Sequence, residues 1–160
     1  MAEEIERKYM VVGEYKHLAH SSIHMTQGYI ASGRRTVRVR IADKQAWLTI
    51  KGPSRDGGLS RYEWEKTIDP HEALELMALA EGGVIEKMRH LVEYEGHTFE
   101  VDEFMGDNQG LVIAEVELHN AEEQVALPHW IGRELTGEKR FYNSHLRAHP
   151  YREWSDEEKS

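Results

Sequence analysis

The sequence contains no cysteine, which excludes disulfides and thiolate-bound metal centres. It has only 4 prolines, no internal repeat and no low-complexity linker, so nothing in it marks a domain boundary. No apolar run approaches the length that spans a bilayer, and the acidic N-terminus does not have the pattern of a secretory leader. A soluble cytoplasmic protein without a membrane partner is therefore expected. The formal charge of −9 argues against a general nucleic-acid binder, so no stable nucleic-acid partner is expected. Local clusters of Lys and Arg still leave anionic substrates open. The glycines of Gly52-Pro53-Ser54-Arg55-Asp56-Gly57-Gly58 lack the lysine and serine of a Walker loop, so this stretch reads as a mouth loop. His17, His20 and His24 do not have the spacing of a helix-borne zinc pair. Nevertheless 39% hydrophobic and 31% charged residues in 160 suffice for one domain with a real core. That domain is expected over 1–150, with the charged segment 151–160 fraying.

The dominant pattern present is alternation. Strands are read near 3–12, 23–31, 34–42, 45–52, 60–68, 84–95, 97–105 and 111–119. Asp43-Lys44 and Glu95-Gly96 read as hairpin turns, while Gly52-Pro53 and Gly57-Gly58 read as a longer loop. Asp69 and Pro70 have the N-cap and first-turn chemistry of a helix, with Ala73, Leu74, Met77 and Ala78 as its apolar side and Gly82-Gly83 as its stop. A second helix is expected over Glu122–Leu127. A third is expected after Thr136, whose hydroxyl would cap a turn containing Lys139. These elements predict an antiparallel, barrel-like α+β domain.

Each strand has one charged and one apolar face. Glu4, Glu6 and Lys8 share a face near the N-terminus, with successive side chains about 7 Å apart. The matching faces carry Arg38 and Arg40; Lys51; Arg61, Glu63 and Glu65; Lys87 and Arg89; Glu100 and Asp102; Glu115 and Glu117. The opposite faces carry Val37, Val39 and Ile41; Leu48 and Ile50; Tyr62 and Trp64; Phe99 and Val101; Ala114, Val116 and Leu118. One reading is a sheet with its charges in water and its apolar face on helices. The other is a closed eight-stranded barrel with apolar faces outward and charges in the lumen. Closure removes long exposed edges, and the segregation of sign by strand departs from the mixed pairs of a merely solvated face. A charged lumen costs desolvation energy unless its groups pair or bind ions. A polyanion held with divalent cations meets that condition.

Such a lumen suits a linear triphosphate. Arg38, Arg40, Lys51, Lys87 and Arg89 are candidate phosphate ligands, followed by Lys8, Arg61 and Lys139. Glu4, Glu6, Asp102, Glu115 and Glu117 are candidate ligands for Mg²⁺ or Mn²⁺, with two ions expected. Glu63 and Glu65 would hold the arginines in place. Phosphoryl transfer depends on positioning and electrostatics, so no serine or cysteine nucleophile is needed. Trp47 is expected to pack at the rim, and outward-facing Tyr62 and Trp64 would either support a homodimer or lie under the helix from Asp69.

With these residues in place, the chain resembles the CYTH superfamily of triphosphate tunnel metalloenzymes over positions 2 to 148. Its E-x-E-x-K falls on Glu4, Glu6 and Lys8, its R-x-R on Arg38 and Arg40, and its lysine strand on Lys51. Arg61 with Glu63, Lys87 with Arg89, Glu100 with Asp102, and Glu115 with Glu117 continue the series, and the 136–143 segment resembles its terminal lysine-and-asparagine stretch. The resemblance implies an eight-stranded antiparallel tunnel with flanking helices. It also implies metal held by Glu4, Glu6, Glu115 and Glu117 near Asp102, and Lys139 beside the reacting phosphate. The resemblance spans inorganic, thiamine and RNA triphosphatases and class IV adenylate cyclases. Thr36 stands where thiamine triphosphatases of the family carry a base-stacking tryptophan. Hydrolysis of inorganic triphosphate is expected, with cyclase, organic triphosphatase and non-catalytic polyphosphate-binding module as alternatives.

Overall fold

The computed structural model describes residues 3–160. Nine strands form one sheet: β1 (Glu3–Val11), β2 (Ser21–Ala31), β3 (Thr36–Ala42), β4 (Gln45–Arg55), β5 (Ser60–Ile68), β6 (Ile85–Tyr94), β7 (His97–Phe104), β8 (Val112–Glu117) and β9 (Ile131–Glu134). The first eight close into an antiparallel barrel in the order β5-β4-β3-β2-β6-β7-β8-β1, with β1 returning to β5. The seam is short. Glu3, Glu4 and Ile5 pair with Tyr62, Arg61 and Ser60, after which β5 leaves and β9 takes over beside Tyr9 and Val11. The sequence pattern missed β9 because only four residues form it, with a glycine among them. No helix among the described residues is long and apolar enough to cross a membrane.

The hairpin turns fall where the sequence placed them, with positive φ at Asp43, and at Glu95 and Gly96. Gly52-Pro53 does not open a loop. β4 runs through it to Arg55, and its register with β5 shifts between Lys51 and Ser54. Pro53 has no N–H for the ladder, which is where a bulge is tolerated.

Helix α1 (Pro70–Met77) starts as expected, the Asp69 carboxylate accepting from the His71 N–H at 2.7 Å. Its buried face differs from the sequence reading. Ala73 is fully buried, with Leu76 and Met77 packed beside it over β3 and β4, while Leu74 is 61% exposed. The face runs through i, i+3 and i+4 from Ala73, which turns Leu74 outward. Gly28 of β2 makes room for this helix: a β-carbon there would collide with Met77 Sδ and crowd the Ala80 β-carbon. The helix ends at Met77, before Gly82-Gly83. Tyr62 and Trp64 do not lie under it; they point outward at 39% and 38% exposure.

Glu122–Leu127 is not helical. A stretch this short pays the nucleation cost of a helix without recovering it. Instead Glu123 accepts from the His119 N–H and from the rings of His97 and His119, tying a strap to the barrel wall, and Val125 packs on the exterior core. The Thr136 hydroxyl caps no helix; it accepts the Lys8 N–H of β1 at 3.0 Å. A 3-10 turn (Lys139–Phe141) and α2 (Asn143–Leu146) follow. The tail, expected to fray, folds back as a 3-10 turn (Tyr151–Glu153) and α3 (Asp156–Lys159). Trp154 is buried edge-on against Phe141 with centroids 5.2 Å apart, and a Ser155/Glu158 capping box starts α3.

The lumen-facing side chains change character along the barrel. At one end Tyr29, Ile85, Phe104 and Ile113 point inward and pack with Leu135, Phe141, Leu146 and Trp154 of the C-terminal segment. Further along the same strands the inward residues are Lys87 and Arg89, Asp102 and Glu100, and Glu115 and Glu117. An apolar floor therefore carries a charged cavity. Outside, Phe99, Val101, Ala114 and Val116 are buried beneath Trp130 and Tyr15, so the apolar faces do point outward as expected.

Candidate active site

The charged cavity has a volume of about 260 Å³. Glu4, Glu6 and Lys8 of β1, Arg38 and Arg40 of β3, Lys51 of β4, Arg61 of β5, Lys87 and Arg89 of β6, and Glu115 and Glu117 of β8 all line it. Strand alternation gives them their common direction, and barrel closure brings the first and last acidic strands together. Glu6 lies opposite Glu117, and Lys8 opposite Glu115.

Lys51 bridges two strands, its Nζ lying 3.0 Å from Glu4 Oε1 and 3.4 Å from Glu63 Oε2. Arg38 donates to Thr49 Oγ1 at 3.2 Å, and Thr49 donates onward to Glu65 at 2.8 Å. Glu65 lies beside an arginine, Arg38, at 3.6 Å, as the pattern suggested, whereas Glu63 pairs with Lys51 and not with an arginine. Arg38 Nε is buried and has no acceptor among the described residues. That buried N–H keeps a hydrogen-bonding capacity the protein itself does not use.

Two residues of the sequence-derived set lie elsewhere. Asp102 is fully buried rather than lining the cavity. Its oxygens accept from Arg89 Nε and Nη2 at 2.8 and 2.9 Å and from Lys87 Nζ at 2.7 Å. With both oxygens committed to Lys87 and Arg89, it holds those two side chains and is not free for a metal. Lys139 sits exposed in its 3-10 turn, and the cavity is lined there by Tyr142, Asn143 and Ser144 instead. The alternation located β2, read as 23–31, but gave it no site residues: Gln27 and Tyr29 face inward, and being uncharged they gave no signal. Trp47 does not line the cavity.

The titration behaviour divides the site. Burial, the charge of Glu115 and the charge of Glu4 push Glu6 well above the usual carboxylate range. Burial acts on Glu115 too, but Lys8, a hydrogen bond from Glu6 and Arg89 outweigh it and hold Glu115 well below. Burial and the neighbouring Glu4 likewise push Glu63 up to about 7. Burial drives Lys87 down to about 7 despite Asp102, with Arg89 and Arg40 adding repulsion. Carboxyl groups crowded enough to share protons are a donor set that a hard divalent cation fits, since it would take the place of those protons. Among the described residues no three acidic or histidine side chains already converge on one point. Such an ion would therefore need phosphate and water oxygens to complete its shell.

Comparison with known proteins agrees with this geometry. The CYTH domain model matches residues 2–145. The chain is 45% identical to an inorganic triphosphatase of Acetivibrio thermocellus, over 98% of this chain and 100% of that protein. It is 32% identical to an inorganic triphosphatase of Nitrosomonas europaea, over 89% of this chain and 95% of that protein. A crystal structure of an inorganic triphosphatase superposes with a TM-score of 0.66 at 29% identity, covering 92% of this chain and 95% of that one.

Proposed function

The chain belongs to the CYTH domain family, and on that premise we propose that it hydrolyses inorganic triphosphate to pyrophosphate and phosphate in the cytoplasm, using Mg²⁺ or Mn²⁺. One observation carries the reading: a single cavity holds seven basic side chains, Lys8, Arg38, Arg40, Lys51, Arg61, Lys87 and Arg89, beside a cluster of glutamates. A singly functional pocket for a neutral ligand would not bear this desolvation cost.

The arginines and lysines bind and straighten the polyanion. Arg38 and Arg40 offer planar forks to phosphate oxygens, and Lys87 and Arg89 are kept in place by Asp102. Glu4, Glu6, Glu115 and Glu117 would hold two divalent cations, with Lys8 opposite Glu115 limiting the repulsion among them. The ions, when bound, supply charge neutralisation at the phosphates and acidify water. Lys8 stands over the Tyr142 ring at 5.1 Å, which fixes its ammonium at the cavity wall where charge builds up on the breaking phosphoanhydride. In the reaction a water oxygen bonds to phosphorus, the P–O–P bridge breaks, and the water's proton leaves through the carboxylates to solvent.

Lys139 is not given a role at the reacting phosphate, because it is exposed and outside the lining. Cyclase, organic triphosphatase and pure binding are not favoured. Phosphate release from tripolyphosphate, ATP and thiamine triphosphate, each with Mg²⁺, Mn²⁺ or EDTA, tests the proposal. Metal-dependent turnover fastest on tripolyphosphate is expected; cyclic AMP from ATP, or tight binding without turnover, would overturn it.

A further inference from the structure

β2 stands between the two strands that carry most of the basic side chains, yet its inward face, Met25, Gln27 and Tyr29, has no charge. Gln27 lies opposite Arg40 of β3 and opposite Ile85 of β6, and it is fully buried. Its Oε1 accepts from Arg40 Nε at 2.8 Å. Its Nε2 donates to Tyr29 Oη at 3.1 Å and to Asn143 Oδ1 at 3.3 Å. The same Asn143 oxygen accepts from Lys87 Nζ at 2.8 Å. A chain of neutral amides therefore links two cations on different strands.

Arg40 differs from its neighbours. Arg38, Lys51, Lys87 and Arg89 each have a carboxylate within 4.0 Å. Arg61 gives Nε and Nη2 to the Gly52 carbonyl and Nη2 also to the Thr36 hydroxyl. Among the described residues Arg40 makes one protein hydrogen bond, through Nε to an uncharged acceptor. Both of its terminal nitrogens are left for a ligand in the cavity it lines. Burial, with Arg38 and Arg89 nearby, pushes Arg40 down to about 9, so it still carries full charge at neutral pH.

We propose that Gln27 is the positioning residue for triphosphate binding: it aims the Arg40 guanidinium into the cavity without cancelling its charge, and it couples Arg40 to Lys87 through Asn143. A carboxylate at this place would hold the guanidinium equally well but would neutralise it and compete with phosphate. An apolar side chain would leave Arg40 Nε without an acceptor and Asn143 Oδ1 with Lys87 alone. The inference rests on reading the cavity as a triphosphate site.

The experiment compares wild type, Gln27→Glu, Gln27→Met, Arg40→Ala and the two double variants. It measures tripolyphosphate KM and kcat, and calorimetric Kd for tripolyphosphate in EDTA. Gln27→Glu is expected to raise Kd and KM roughly tenfold to a hundredfold, the range for a charged hydrogen bond, while kcat stays within about threefold. Gln27→Met should give a smaller rise in the same direction, and neither change should matter once Arg40 is alanine. Wild-type affinity in Gln27→Glu, or the same loss with Arg40 already removed, would overturn the proposal. Should Gln27→Glu fail to fold by circular dichroism, Gln27→Met and its double variant decide by the same criteria. A wild type that binds tripolyphosphate without cleaving it would sink the hydrolase reading alone, and the affinities would still judge Gln27.

Discussion

On β6 and β7 the outward residues Val92, Phe99 and Val101 are at most 2% exposed beneath Trp130, whereas on β4 and β5 Ile50, Tyr62 and Trp64 keep 38–39%. The inward faces differ in the same sense. Asp102, Lys87 and Arg89 form a dry, doubly bonded ion cluster, while Lys51, Glu63 and Glu65 on the other wall remain partly solvated. One wall is a tightly bonded frame, in which Asp102 holds Arg89 bidentately and Lys87 beside it. The other is lightly covered and, among the described residues, joined to β1 by the short seam at Glu3–Ile5. A cavity that must admit a bulky, highly charged ligand can keep its precision on one side and its tolerance on the other.

Breaking the buried cluster should cost most. Asp102→Ala leaves two buried cations without their partner and is expected to destabilise by about 3–5 kcal/mol, whereas Glu65→Ala on the solvated wall should cost less than about 1 kcal/mol. Urea melts of the two variants make the comparison, and similar losses would erase the distinction between the walls. Outside the barrel, Phe99→Ala should cost about 3–5 kcal/mol and Trp64→Ala about 1 kcal/mol or less, read from thermal melts. The subtlest contrast concerns protons. Glu63 is raised to about 7, so it binds a proton below that pH and releases it above. If Glu4 and Glu63 share that proton in competition with a cation, apparent Mg²⁺ affinity should fall about tenfold per pH unit below 7 and level off above. A flat affinity from pH 6 to 8 would show that a cation at Glu4 does not displace the Glu63 proton.

The barrel was legible because a period of two leaves a strong trace wherever one face is apolar and the other charged. That same trace placed Glu4, Glu6, Arg38, Arg40, Lys51 and Glu115 in one cavity. Parity gives the face but not the depth: Asp102 and Glu100 share a face, yet Asp102 is sealed behind Lys87 and Arg89 while Glu100 reaches the cavity. Gln27 was read as part of a strand but not as a site residue, because a neutral residue on a lumen face looks like ordinary core. The C-terminal segment was misread because its charged surface hides two anchors, Tyr151 and Trp154, whose partners Asn108 and Phe141 are distant in sequence or separated by turns. Lys139 was proposed from its charge as well as from likeness in a short motif, and local 3-10 geometry turned it outward.

The initial rate of phosphate release from tripolyphosphate as a function of Mg²⁺ concentration, for wild type and Glu4→Gln, tests the central claim most directly. A saturable, EDTA-abolished rate in wild type and a flat baseline in a folded Glu4→Gln are expected. Turnover that ignores the metal, or that survives in Glu4→Gln, would contradict the account of the acidic end of this cavity.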